Sequence, residues 1–130
     1  MLQQDYILRL IREFFDALAR AKNKKDAKER AEALHQLYRQ YLGSYEFYQN
    51  ADVEEAISYI GTLYPEEQRV QRLEMLAELY YAEAECRATP IGQSHLRRAL
   101  TLFTYVDQHS GTYSIMRHNK INAIRMRIGS

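Results

Sequence analysis

The last part of the sequence carries basic side chains of the type that bind phosphate groups. Four of them, Arg117, Lys120, Arg125 and Arg127, fall in the last predicted helix, and no acidic residue follows Asp107. Basic side chains that neutralise phosphates give nucleic-acid binding that weakens as salt is added. The four residues are spread around the helical wheel, however, and Arg125 and Arg127 also suit the negative end of a helix dipole. Nucleic-acid binding through this helix is therefore the alternative hypothesis.

A row of tyrosines is the second group of side chains that could recognise a partner. Tyr38, Tyr41, Tyr45 and Tyr48 recur at helical spacing if the second predicted helix continues past Gly43. A tyrosine ring combines an apolar body with a polar tip, so such a row can line a groove for a peptide. Packing of the same rings in the core is the other interpretation. Together with the four basic residues, these tyrosines form the candidate interaction surface.

The histidines and the cysteine show no spacing that is typical of catalysis or metal binding. None of His35, His95, His109 and His118 stands at metal-ligand spacing from another histidine or from Cys86. We expect Cys86 to be a small buried hydrophobic residue. The sequence also has no glycine-rich phosphate loop and no Gly-x-Ser-x-Gly motif. We therefore predict no catalytic, cofactor-binding or metal site, and no cofactor.

Three glutamates of the most strongly patterned stretch fall in one narrow polar stripe. Glu74, Glu78 and Glu85 share this stripe on a predicted helix. Carboxylate-bridged metal bundles use Glu-x-x-His pairs on several helices, and the chain has a single such pair, Glu32 with His35. We expect the stripe to be solvated or to pair with basic residues.

Length and composition indicate one globular domain spanning residues 1–130. Hydrophobic residues make up 46% and charged residues 27% of the 130, which is ordinary for a soluble protein. A single cysteine excludes an intrachain disulfide. Charged residues interrupt the apolar pattern of the N-terminus, which is typical neither of a signal peptide nor of a membrane span. We expect a cytoplasmic protein that does not bind membranes.

The net charge of +1 conceals a separation of charge along the chain. Residues 1–45 have nine basic and six acidic side chains, a net charge of +3. Residues 46–86 have two basic and ten acidic side chains, a net charge of −8, and residues 87–130 have seven and one, a net charge of +6. We expect these charges to pair within one fold or between two copies in a homodimer. The alternative is a basic surface for an acidic partner.

Nearly the whole chain has the hydrophobic periodicity of α-helices. We predict that a helix from Pro65 to Arg87 is the central element of the fold. This helix is apolar on two nearly opposite faces, one with Leu73 and Leu76 and the other with Met75. A surface helix needs only one apolar stripe, so other helices must cover this one from two sides.

Five further helices are predicted around it, and few glycines and prolines interrupt them. Their ranges are 5–21, 26–43, 52–62, 93–108 and 113–128. Asp26 and Asp52 are each followed three residues later by glutamate, which predicts a capping box. Residues 44–51 should lie against the core or extend the second helix. We expect these residues of the last helix to face inward: Tyr113, Met116, Ile121, Ile124 and Ile128.

The N-terminal residues Gln4-Asp5-Tyr6-Ile7, followed by Arg9, carry a family resemblance. They resemble the opening of an uncharacterised bacterial family of small all-helical proteins with a Gln-Asp-aromatic-Ile-x-Arg signature. That resemblance implies antiparallel helices arranged like tetratricopeptide repeats. It implies no activity.

Residue spacing around Thr89–Gly92 is also similar to a tetratricopeptide unit. Leu73, Leu76, Ala77 and Tyr80 keep the large-large-small-aromatic spacing of the first helix of that repeat. The helix after the break matches only loosely, and no 34-residue period recurs along the chain. We therefore predict an all-α fold of five to six antiparallel helices in a degenerate tetratricopeptide-like array. Whether it keeps a concave binding face stays open.

The functional hypothesis is a non-enzymatic module that binds a protein or peptide. It depends on the tyrosine row, the separated charge and the lack of catalytic motifs in the sequence. The sequence does not identify the protein or peptide partner. A homodimer is a further expectation, and nucleic-acid binding through the last helix is the alternative.

Overall fold

The computed structural model describes residues 2–87 and 89–128, with residues 2–4 described by their backbone alone. This part of the chain forms seven helices and no strand. The helices are α1 (Leu2–Lys22), α2 (Ala27–Leu42), α3 (Glu46–Asn50), α4 (Val53–Leu63), α5 (Glu66–Ala84), α6 (Ile91–His109) and α7 (Ile115–Ile128). The all-helical prediction is confirmed, with more helices than the predicted five to six. The side chain of Gln4, which opens the N-terminal signature, lies outside the described residues.

None of these seven helices is both long enough and apolar enough to cross a lipid bilayer.

The additional helix arises because α2 ends at Gly43. Gly43 has a φ of 89°, the left-handed conformation that glycine adopts at little cost, and its N–H donates to the Arg39 carbonyl. The chain starts a new helix, α3, where the Phe47 N–H donates to the Ser44 hydroxyl at 3.1 Å. Residues 44–51 thus lie against the core as a separate helix, with Tyr48 buried. They do not extend α2.

Side-chain caps fix the starts of α2 and α4 where the sequence predicts them. The Asp26 carboxylate accepts a hydrogen bond from the Glu29 N–H at 2.9 Å. The Asp52 carboxylate accepts from the Glu55 N–H at 2.8 Å, and the Glu55 carboxylate accepts from the Asp52 N–H at 2.9 Å. The predicted capping box at Asp52 is confirmed.

Helix α5 is the centre of the fold. Leu76 and Tyr80 on one face and Met75 and Leu79 on the other are all buried. The helix packs against α1, α2, α4 and α6. One hydrophobic cluster draws side chains from all seven helices, so the apolar faces of α5 are covered by its neighbours. The prediction that this helix is buried from two sides is confirmed.

The predicted orientation of the last helix is wrong in its first turn. Tyr113 precedes α7 and is 72% exposed, and Met116 is 61% exposed. Arg117 takes the inward position next to Met116, in line with the buried Ile121 and Ile124. A spacing of four and then three residues places 117, 121 and 124 on one helix face, so the prediction is right at Ile121 and Ile124 and wrong by one position at Met116. The acidic partners of Arg117, described below, explain why a basic residue can be buried there.

Candidate functional site

A wide groove lies over α5, between α1 and the start of α7. It has a volume of about 540 Å³ and is open to solvent along one side. Its lining residues define the α1–α7 groove: Ile7, Leu8, Ile11, Glu67, Val70, Gln71, Glu74, Ser110, Thr112 and Arg117. The α1 wall is apolar, and Leu8 is 53% exposed although it is a large aliphatic residue.

Arg117 closes one side of the groove and has its donors engaged by the protein itself. Its Nη1 donates to Glu74 at 3.1 Å and its Nε to Asp107 at 3.2 Å. Its Nη2 donates to the Thr112 carbonyl at 2.7 Å and to the Ser110 hydroxyl at 3.2 Å. A buried guanidinium is stable when carboxylates and hydrogen bonds satisfy it. This predicted surface cation therefore ties α5 to the α6–α7 turn.

The floor of the α1–α7 groove is a stripe of hydrogen-bond acceptors on α5. Glu67, Gln71 and Glu74 are four and three residues apart, so they follow one another along the same helix face. Glu67 is exposed, and Glu74 bonds Arg117 through Oε2. Gln71 Oε1 is buried and has no hydrogen-bond partner within the described part of the protein. The acceptors that this floor presents to the groove are therefore the carboxylates of Glu67 and Glu74, since Gln71 Oε1 is closed off from solvent.

Lys120 lies one turn further along α7 and is also engaged by α5. Its ammonium bonds both carboxylate oxygens of Glu78. It also lies 5.9 Å from the centre of the Phe15 ring on α1. These side chains line a second depression of about 320 Å³ between α1 and α7. Burial raises the pKa of Glu78, and Lys120 only partly opposes that rise.

Arg125 and Arg127 lie at the far end of α7. Both side chains are exposed, and neither lines the α1–α7 groove. Between them, Met126 is among the most exposed large apolar residues of the described chain. The structure thus separates the four predicted cations into an internal pair, Arg117 and Lys120, and an exposed pair.

The four tyrosines do not form an exposed row. Tyr38, Tyr41 and Tyr48 are buried, and Tyr45 is half-buried. The break at Gly43 turns the chain between Tyr41 and Tyr45, so the helical spacing on which the row depended is lost. The structure thus favours core packing, the other interpretation that the sequence allowed.

Two of these tyrosines instead donate to a carboxylate at the other end of α5. Glu83 is buried, and its Oε1 accepts from the Tyr38 hydroxyl at 2.7 Å and from the Gln49 amide at 3.1 Å. Its Oε2 accepts from the Tyr45 hydroxyl at 3.0 Å and from Arg87 at 2.9 Å. With His95, these residues form the Glu83 cluster, which joins α2, α3, α5 and α6.

The orientation of His95 matches a negative charge on Glu83. His95 Nδ1 lies 3.0 Å from the Ile91 carbonyl, and Nε2 lies 3.0 Å from Gln49 Oε1 and 3.4 Å from Glu83 Oε1. The amide nitrogen of Gln49 donates to Glu83, which turns its oxygen toward the ring. Both ring nitrogens thus face acceptor oxygens, which fixes the orientation of the ring beside the carboxylate.

The cluster also controls the pKa values of its acidic groups. Burial opposes ionisation of Glu83, but the hydrogen bonds from His95, Tyr38 and Arg87 outweigh it and hold the pKa well below the ordinary 4.5. Burial, and after it the Glu83 charge, raises the pKa of Tyr45 to about 12. Its hydroxyl therefore remains a donor at neutral pH. Both carboxylate oxygens of Glu83 accept hydrogen bonds from the protein's own donors, so the cluster is a structural element that joins four helices.

Cys86 lies beside this cluster and not inside the core. It is exposed, so the prediction of a buried cysteine is wrong. The cause is that α5 ends at Ala84, before the predicted Arg87, which places Cys86 in the following turn. Within residues 2–87 and 89–128, no group of three or more histidine, cysteine or acidic side chains is arranged to hold a metal ion.

Two features of the structure, the buried Glu83 and the acceptor stripe of the groove, have only a weak signal in the sequence. Glu83 stands between Ala82 and Ala84, away from the polar stripe of Glu74 and Glu78, and an acid in an apolar stretch is the signal for a buried charge. The acceptor stripe with Gln71 depends on the positions of α1 and α7, for which the α5 sequence has no signal.

Comparisons of the chain with protein-family models, with curated proteins and with solved structures found no match.

Proposed function

We propose that this protein is a non-enzymatic module that binds a peptide segment of a partner protein in the α1–α7 groove. The observation that carries this proposal is the wall of α1, where Leu8 is half exposed beside the partly buried Ile7 and Ile11. A contiguous apolar strip inside a groove is typical of a binding surface, whereas single exposed apolar residues are common everywhere. The groove volume of about 540 Å³ suits a few side chains of a ligand.

The arrangement of the helices supports this proposal. Arg117 bonds Glu74 and Lys120 bonds Glu78, so α7 runs along α5 in the same direction. The lining of the two depressions places α1 along the opposite edge of α5, also in the same direction. We propose that the α1–α2 and α5–α6 pairs form a degenerate tetratricopeptide-like array with α7 as a closing helix. Stacked helical pairs of this kind produce concave binding surfaces.

The electrostatics favour a peptide over a nucleic acid. Glu74 and Glu78 neutralise Arg117 and Lys120, so half of the predicted phosphate-binding surface is engaged internally. Two exposed arginines at the end of α7 supply little of the charge that phosphate binding needs. The distribution of charge therefore supports peptide binding and gives no support to nucleic-acid binding as a second function.

The test begins with the selection of short random peptides, displayed on phage, that bind the wild-type protein. The affinity of the selected peptides is then measured for wild type and for two variants in which a leucine is replaced. Leu8→Glu places a charge in the groove, and Leu63→Glu makes the same change at a leucine on α4 that is 43% exposed and does not line the groove. We expect peptides selected on wild type to bind Leu63→Glu equally and to lose at least about tenfold in affinity for Leu8→Glu. Thermal unfolding of both variants checks that they fold.

Two results would overturn the proposal. One is that no peptide is enriched on the wild-type protein. The other is that selected peptides bind folded Leu8→Glu as tightly as Leu63→Glu, which would place their site elsewhere.

A further inference from the structure

We infer that the α1–α7 groove selects a segment that presents a lysine or arginine beside apolar side chains. This inference rests on the proposed function, because it names the chemistry of the peptide that the same groove would bind. It follows from the contrast between the two sides of the groove, an apolar wall on α1 and an acceptor stripe on α5.

Few donors of the described protein form hydrogen bonds with the acceptors of this stripe. Glu67 is exposed, and Gln71 Oε1 is buried without a hydrogen-bond partner in the described residues. Glu74 engages Arg117 through Oε2 alone. Gln71 Oε1 is closed off from solvent, so the acceptors within reach of a ligand are the carboxylate of Glu67 and the second carboxylate oxygen of Glu74. A ligand that brings an N–H donor therefore gains more from this floor than one that brings another acceptor. Arginine and lysine carry several donors and no acceptor, and they suit such a stripe.

The charges around the groove disfavour an acidic ligand. Arg117 is the one cationic side chain among the lining residues of the described protein, and Glu74, Asp107, Ser110 and Thr112 already engage its donors. A carboxylate placed here would meet exposed Glu67 without finding a cation to pair with. Selectivity of this kind comes from repulsion of the wrong partner as well as from attraction of the right one.

The apolar wall determines the rest of the ligand. Ile7, Leu8 and Ile11 are spaced along about one turn of α1, so they can cover an apolar side chain on either side of a central cation. The charged head of a lysine or arginine can reach Glu67 while its methylene stem lies on this wall. The occupant that we infer is therefore an apolar segment with a basic residue at its centre.

The same phage-display selection tests this inference, because the sequences of the enriched peptides show which charged residues they contain. We expect lysine or arginine next to leucine, isoleucine or phenylalanine. Replacing the basic residue of a selected peptide by glutamate should weaken binding at least about tenfold, the effect of a difference of about 1.4 kcal/mol. Fluorescence anisotropy with labelled synthetic peptides measures this ratio.

Matched variants assign the selectivity to Glu67. In Glu67→Lys the preference should invert, so that the glutamate version of the peptide binds more tightly. In Glu66→Lys it should persist, because this neighbouring acid is exposed but does not line the groove. A preference that is the same in both variants would overturn the inference.

The remaining outcomes separate the inference from the proposed function. Enriched peptides that are apolar but neutral or acidic would overturn the basic selectivity and leave peptide binding intact, whereas no enrichment would overturn both. Arg127 of a second copy, between Met126 and Ile128, has the inferred chemistry, so light scattering is measured on wild type and Glu67→Lys. A dimer that Glu67→Lys dissociates would show that the occupant is a second copy and not a partner segment.

Discussion

The Glu83 cluster leads to a prediction about two buried glutamates of the same helix. Glu83 and Glu78 are both buried on α5, so Glu→Gln at each position makes the same chemical change at similar burial. Folding lowers the pKa of Glu83 and raises that of Glu78. The ionised form is therefore favoured by the folded surroundings at Glu83 and disfavoured at Glu78. We expect Glu83→Gln to destabilise the protein strongly and Glu78→Gln to change stability little.

The magnitude for Glu83→Gln follows from the geometry of the carboxylate. A glutamine amide has one accepting end, so whichever way it points, either Tyr38 and Gln49 or Tyr45 and Arg87 lose their acceptor. The His95 ring also loses its negative partner. Hydrogen bonds to charged groups contribute about 1.5–3 kcal/mol each, and breaking a buried pair costs about 3–5 kcal/mol, so we expect a loss of about 3–5 kcal/mol.

For Glu78→Gln we expect the free energy of unfolding to change by less than about 1 kcal/mol. The cost of burying the Glu78 carboxylate disappears, and the ammonium of Lys120 can reach solvent once it loses its partner. Denaturation by urea, followed by circular dichroism at neutral pH, measures both free energies of unfolding.

The pH dependence provides an independent check on the cause. A glutamate whose pKa is lowered by folding stabilises the protein above its ordinary pKa of 4.5, and this contribution is lost as the pH falls below that value. The free-energy difference between wild type and Glu83→Gln should therefore be largest at neutral pH and shrink steadily below 4.5. Equal losses in the two glutamine variants, or a Glu83→Gln loss that does not change with pH, would refute this account of the cluster.

Two further perturbations test the fold. Leu76→Ala, at a fully buried position on α5, should cost about 2–5 kcal/mol in urea denaturation, and a loss below about 1 kcal/mol would contradict the central position of the helix. Gly43→Ala should destabilise the protein by about 1–3 kcal/mol because Gly43 has a φ of 89° and its Cβ would lie 2.9 Å from Leu63 Cδ1. Gly61→Ala, in the interior of α4, is its control. Nothing beyond the helix's own backbone lies within 4 Å of the added Cβ, and we expect the free energy of unfolding to increase by about 0.5–1 kcal/mol. A higher melting temperature for Gly43→Ala would show that the α2–α3 turn is misassigned.

Much of the fold could be predicted because helix starts, stops and apolar faces are local properties. The capping residues Asp26 and Asp52 initiate α2 and α4 in the structure, and the double apolar face of α5 is buried as its pattern requires. The errors occur where a local pattern permits two outcomes. The tyrosine row required a helix that continues past Gly43, where α2 ends, and the inward residue in the first turn of α7 depends on whether Met116 or Arg117 finds partners inside.

The candidate site was less predictable, because its residues come from distant parts of the sequence. Arg117 stands on a basic helix and is typical of a surface cation until Glu74 and Asp107 are placed around it. Similarly, Tyr38 contributes to a tyrosine row in sequence, but it donates to a carboxylate 45 residues away in the structure.

The sequence by itself thus determined the helices, the central position of α5 and the separation of charge along the chain. These properties depend on hydrophobic periodicity and composition, which are set by residues close together in the sequence and do not require the rest of the fold. The tertiary structure alone decided how that charge is used. It pairs Glu74 and Glu78 of α5 with Arg117 and Lys120 of α7 and satisfies Glu83 within the core, and it leaves Glu67 facing a groove. Burial and distance set the energy of a charge, and both are fixed only when the helices pack.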